Sequence, residues 1–147
     1  MWIAITESHL LTRLSGTELA KLRGAALASG QADPVQPAID EVSGYVRGFV
    51  GRRYRLGDGN TIPQELLGAA LAIVVVELMT RVAGVMIDPK ELRKQAAIDA
   101  NKLLQATADG VFAVESPVVP SSAVISNPGP RFDAPTLMFD WESEEGL

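Results

Sequence analysis

The longest apolar run in the chain, Leu66 to Val76, stops at Glu77. It is too short to cross a bilayer, which takes ~20 residues. It is also too uniformly apolar for a helix with one wet face, so a helix through it has to be central, with neighbours on several sides. Thr61-Ile62-Pro63 reads as its opening, and the run predicts a helix through about Ala83. A chain of 147 residues buries roughly two thirds of its unfolded surface. One domain is therefore expected, with enough helices around this one to cover it.

Those neighbours are legible from caps and periodicity. Thr6 is placed to cap a short helix from about Glu7 to Leu14, with Leu10, Leu11 and Leu14 on one face. Ser15-Gly16 ends it, and a second helix starts at Thr17 with Leu19, Leu22 and Leu27 inward; Ser29-Gly30 closes that one. Asp33-Pro34 is a strong start, a capping carboxylate followed by a proline where no N–H is needed. The stripe Val35, Ala38, Ile39, Val42, Val46, Phe49, Val50 follows a helical period and predicts a third helix to about Tyr54. Gly44, Gly48 and Gly51 each weaken that helix by ~1 kcal/mol relative to Ala, which suggests close packing. Asp88-Pro89-Lys90-Glu91 opens a fifth helix to about Ala108, with Leu92, Ala96, Leu103 and Leu104 inward and Gly110 as its stop.

Beyond Gly110 the composition changes. Val111-Phe112-Ala113-Val114 is a strand candidate, and residues 115–136 carry prolines 117, 120, 128, 130 and 135. Residues 1–110 hold equal numbers of acidic and basic groups, so the formal net charge of −5 resides in the last segment. The expected fold is mainly α: a small bundle of about five helices over 1–114 and an extended Pro-rich acidic arm over 115–147, with one short strand or hairpin as an option.

The chain lacks the usual carriers of chemistry. It has no cysteine and a single histidine, His9, which excludes disulfides, thiolate metal sites, a cysteine nucleophile and a two-histidine metal site within one chain. No G-x-S-x-G, phosphate-cradling glycine loop or H-E-x-x-H occurs. Gly57-Asp58-Gly59-Asn60 reads as a turn, since an EF-hand-type site needs more carboxylates and a terminal Glu. His9 reads as an ordinary surface residue, and Asp40-Glu41 and Asp99 as isolated helix-face acids. No enzyme activity, cofactor or metal is expected. Met1 to Ile5 has no basic flank and meets Glu7 early, so it does not read as a signal peptide; a protein made in a reducing cytoplasm, with no membrane association, is expected.

Two clusters remain. Arg47, Arg52, Arg53 and Arg55 are interleaved with Tyr45, Phe49 and Tyr54. Arginine forks suit phosphates and carboxylates, so a solvated helix end, a subunit or partner contact, and a DNA-facing role are all open. Leu137, Met138, Phe139 and Trp141 form an apolar knot among acids. Leaving it in water is unfavourable at about 25 cal/mol per Å², so it either folds back on its own domain, docks on another chain or stays disordered.

The order of elements resembles the head–tail connector proteins of tailed phages, the Mu-like prophage adaptor (head-completion) family. The resemblance spans about residues 3–114. It rests on Glu18-Leu19-Ala20-Lys21-Leu22, on Ala38-Ile39-Asp40 through Arg52-Arg53-Tyr54-Arg55-Leu56, on Pro63-Gln64-Glu65-Leu66-Leu67, and on Ala100 through Gly110. Leu78-Met79 stands where the family often carries aromatic residues, and the resemblance does not extend to the arm after 115. The resemblance implies a non-enzymatic, largely helical virion protein located in the neck after synthesis in the host cytoplasm. It implies a homo-oligomeric ring, usually a dodecamer, between the portal protein and the next neck or tail protein, with DNA passing through without sequence recognition. Arg47, Arg52, Arg53, Arg55 and the Leu137–Trp141 knot are the candidate subunit or partner contacts. The rival expectation is a small helical DNA-binding regulator using Arg47–Arg55.

Overall fold

The computed structural model describes residues 1–82 and 90–117. Their elements run in the order β1 (Trp2–Ala4), α1 (Glu7–Leu10), α2 (Gly16–Ala28), α3 (Val35–Val50), β2 (Thr61–Pro63), a 3-10 turn (Gln64–Leu66), α4 (Leu67–Arg81) and α5 (Glu91–Asp109). The molecule is mainly helical with one small two-stranded sheet.

The apolar run does form the central helix. In α4 Ala70, Leu71, Val74, Val75, Leu78 and Met79 are buried, and only Gly68 and Thr80 are exposed. α5 packs on α4 more extensively than any other pair of elements, and α3 packs on both. The core joins these helices to Leu10, Leu14, Leu19, Leu22 and Ile62. Burying one such Val or Leu contributes about 1.5–3 kcal/mol, so this cluster dominates the fold's stability.

Local chemistry sets the boundaries. Asp33 Oδ1 accepts the Val35 N–H at 3.0 Å, as its place before Pro34 leads one to expect. α2 starts one residue earlier than Thr17, because Ser15-Gly16-Thr17-Glu18 is a capping box. The Ser15 Oγ accepts the Glu18 N–H at 3.2 Å and Glu18 Oε2 accepts the Ser15 N–H at 3.0 Å. α5 stops at Gly110, whose φ of 78° is left-handed, the conformation glycine reaches without a Cβ penalty.

Several expectations are corrected. Thr61-Ile62-Pro63 does not open a helix. It pairs antiparallel with Trp2-Ile3-Ala4, and Ile62, opposite Ile3, is fully buried. Val111–Val114 is not a strand; the strand partner lies at the other end of the chain. α1 ends at Leu10 and α3 at Val50, short of Leu14 and Tyr54. Leu11, Leu27 and Leu92 are 46%, 64% and 83% exposed, and Ala96 is exposed. Ala26 takes the inward place in α2. In α5 it is Ala100, Leu104 and Thr107 that are buried, with Leu103 packed beside them. Gly44 and Gly48 face open space, so among the described residues no contact uses their missing side chains. Ala83, the Asp88-Pro89 helix start and the Leu137–Trp141 knot lie outside the described residues.

Candidate functional site

The arginine segment is built on the turn that follows α3. α3 ends as Gly51 N–H bonds back to the Arg47 carbonyl at 2.8 Å, and residues 51–60 loop round to β2. Arg47 holds that loop. Its Nη1 donates to the Thr61 carbonyl at 2.6 Å and its Nη2 to the Gly57 carbonyl at 3.0 Å. The carbonyls of Gly57 in the loop and Thr61 at the start of β2 are thus gripped by one planar fork, a geometry the ammonium of lysine does not match. Gly57 is buried under the Trp2 indole; a Cβ there would come within 2.8 Å of the ring.

The other three arginines are exposed. Arg52 lies over the Phe49 ring, its Cζ 5.0 Å from the centroid, and Phe49 meets Tyr45 edge-on at 5.1 Å. Arg53 lies against Gly110, whose lack of a side chain makes the room. Arg55 lines a groove. Among the described residues none of the three has an ion-pair partner, whereas Arg23, Arg81 and Arg93 are each paired with glutamates of other elements. Asp58 is the one acid near them in the loop, and it too lacks an ion pair among these residues.

The groove has a volume of about 550 Å³ and is lined by Met1, Trp2, Arg55, Leu56, Gly57, Asp58, Thr61, Glu115, Ser116 and Pro117. The chain's last described residues therefore form one of its walls. Trp2 Nε1 donates to the Glu115 carbonyl at 2.9 Å, and the Met1 amino group pairs with the Glu115 carboxylate. Nearby, the Tyr54 hydroxyl bonds the Phe112 carbonyl at 3.4 Å. Glu115 to Pro117, the last described residues, thus lie beside Arg55.

The small sheet has one closed and one open edge. The Gln64 N–H donates to the Met1 carbonyl, so Trp2–Pro63 and Ala4–Thr61 fall at non-hydrogen-bonded positions of the ladder. Pro63 brings no N–H to the outer edge of β2, and the Thr61 carbonyl there is taken by Arg47. On β1 the outward main-chain groups of Trp2 and Ala4 bond no described residue.

Sequence reasoning grouped four arginines as one surface; the structure separates Arg47, spent inside the body, from Arg52, Arg53 and Arg55. It missed Trp2 and the groove, for which no local signal exists, because both depend on β1 returning to β2. His9 serves the local structure of α1. Its Nδ1 accepts the Thr6 N–H at 3.2 Å, the part usually played by Glu or Gln in a capping box. The Gly57–Asn60 turn gathers no acid cluster; among the described residues there is no group of His, Asp or Glu able to hold a metal. Nor is any described helix long and apolar enough to cross a membrane. No protein-family model, curated protein or solved structure matches the chain.

Proposed function

We propose that this chain is the subunit of a head–tail connector, a structural adaptor ring of a tailed phage. The ring docks on the portal vertex, extends the DNA channel and offers a platform to the next neck or tail protein. The observation that carries this reading is the placement of Arg52, Arg53 and Arg55. They stand exposed and unpaired among the described residues, at the end of the body from which the acidic, apolar-tipped arm departs. A body with a basic end and an acidic arm is complementary to copies of itself, and repeating a weak contact round a ring multiplies its strength. The order of the helices supports the same reading, as does a charge-neutral body, which would not retain passing DNA. In this account the protein is not an enzyme, and its place is the virion neck.

Light scattering after size exclusion, with negative-stain imaging in the presence and absence of a portal ring, tests it. Ring-shaped oligomers, free or seated on the portal, are the expected result. A protein that stays monomeric with the portal at tens of micromolar overturns the reading. The same exposed arginines would serve the rival function of a DNA-binding regulator. That reading requires salt-sensitive, micromolar duplex binding by the free chain, whereas the connector reading expects none at physiological salt.

A further inference from the structure

The groove beside β1 lies open among the described residues, and the sequence beyond them holds a segment of matching chemistry. Leu137-Met138-Phe139-Asp140-Trp141-Glu142 alternates. Extended, it sets Leu137, Phe139 and Trp141 on one face and Asp140 and Glu142 on the other. The groove answers both faces. Trp2 and Leu56 give it an apolar wall, and a volume of about 550 Å³ falls within the range of sites that enclose small ligands. Arg55 lines it, and Arg52 and Arg53 stand in the same loop. Asp140, Glu142, Glu144 and Glu145 bring four negative charges; the opposing acids of the groove are Asp58 and Glu115, the latter already paired with the Met1 amino group. The outward main chain of Trp2, without a partner among the described residues, offers the ladder bonds that let an added strand bind.

We infer that in the unassembled subunit this groove is occupied by residues 137–142 of the same chain. Pro117 is part of the groove wall, and residues 118–136 join it to Leu137. Those 19 residues extend to at most roughly 63–68 Å, more than enough to turn back. A tether of this kind holds its end near its own receptor at an effective concentration of about a millimolar. A second copy at micromolar concentration competes poorly with that. The free subunit thus covers its own arginine surface, and assembly exchanges the arm from its own groove to a partner. The occupancy stands independently of the connector reading; only its role in assembly rests on that reading.

Amide hydrogen exchange on the full-length protein tests the inference, read on peptides covering residues 1–6 and 55–62. Three full-length proteins are compared: the unaltered chain, F139S/W141S, and R52E/R53E/R55E. Arg52, Arg53 and Arg55 are exposed, and Phe139 and Trp141 belong to the Pro-rich acidic segment. We expect exchange in both peptides to be at least fivefold slower in the unaltered chain than in either variant. The protection should be the same at 1 and at 50 μM protein. Equal exchange in all three proteins means an empty groove and overturns the inference. Protection that grows with protein concentration means that the arm of another copy fills the groove, and it overturns occupancy in cis. Neither failure bears on ring formation, which imaging scores separately; a self-protected groove in a protein that never forms rings would remove the connector reading alone.

Discussion

Ser43 is fully buried in α3, and its hydroxyl has no hydrogen-bond partner among the described residues. A buried, unsatisfied hydroxyl is unfavourable by about 1–3 kcal/mol, and serine is also a weaker helix former than alanine. Ser43→Ala should therefore stabilise the protein by about 1 kcal/mol in urea unfolding. Arg47 works in the opposite sense. It supplies two charge-assisted bonds to the 57–61 loop, so Arg47→Ala should cost about 2 kcal/mol in the same measurement, with little rescue by lysine. Glu18 adds a pH dependence. The Ser15 N–H and hydroxyl, aided by Arg93, hold its carboxyl below the ordinary 4.5. A depressed folded-state pKa gives stability that is present above 4.5 and lost as pH falls through the lower, folded value. Melting temperature should accordingly decline as pH drops below about 4.5, and Glu18→Gln should flatten that decline.

At the scale of elements, α4 is the member that the rest surrounds. Val74 is fully buried on it, while Ile73 is only half-buried. An unpaired charge in that interior costs several kcal/mol, so Val74→Asp should abolish folding and Ile73→Asp should be less severe, as circular dichroism would show. The helices were legible in the sequence because their information is local: a cap such as Asp33, a stop such as Gly110, a stripe from Val35 to Val50. The sheet was not. Thr61-Ile62-Pro63 has the composition of a helix start, and nothing near it tells of a partner at Trp2–Ala4. The outward-facing Leu27 and Leu92 escaped for a related reason. Periodicity names an apolar side but not where the covering elements end. Arg93 shows the consequence: it takes the inner side of α5 near its start, reaching Glu18 at 3.1 Å and Met79 Sδ at 3.7 Å. The basic character of the candidate site was legible from the spacing of its arginines, but the diversion of Arg47 to backbone carbonyls required the loop to close first.

For the whole molecule, the arm is the part to remove first. On the proposed connector function, deleting residues 130–147 should leave a soluble, helical protein that no longer completes portal-bearing heads, scored by complementation. Arg52→Glu with Arg53→Glu should impair ring incorporation without altering the melting curve, since both side chains are exposed. The pairing of β1 with β2 also bears on how the chain is made. It closes a loop over residues 5–60, at an entropic cost of roughly 3–4 kcal/mol beyond the constant term. During synthesis Trp2-Ile3-Ala4 leaves the ribosome well before its strand partner, which is not available until Pro63 has followed. β1 is thus locked in place later than the helices between the two strands, whose contacts are local. In refolding, the fluorescence of Trp2, followed with Trp141 changed to Phe, should lag behind the gain of helical circular dichroism.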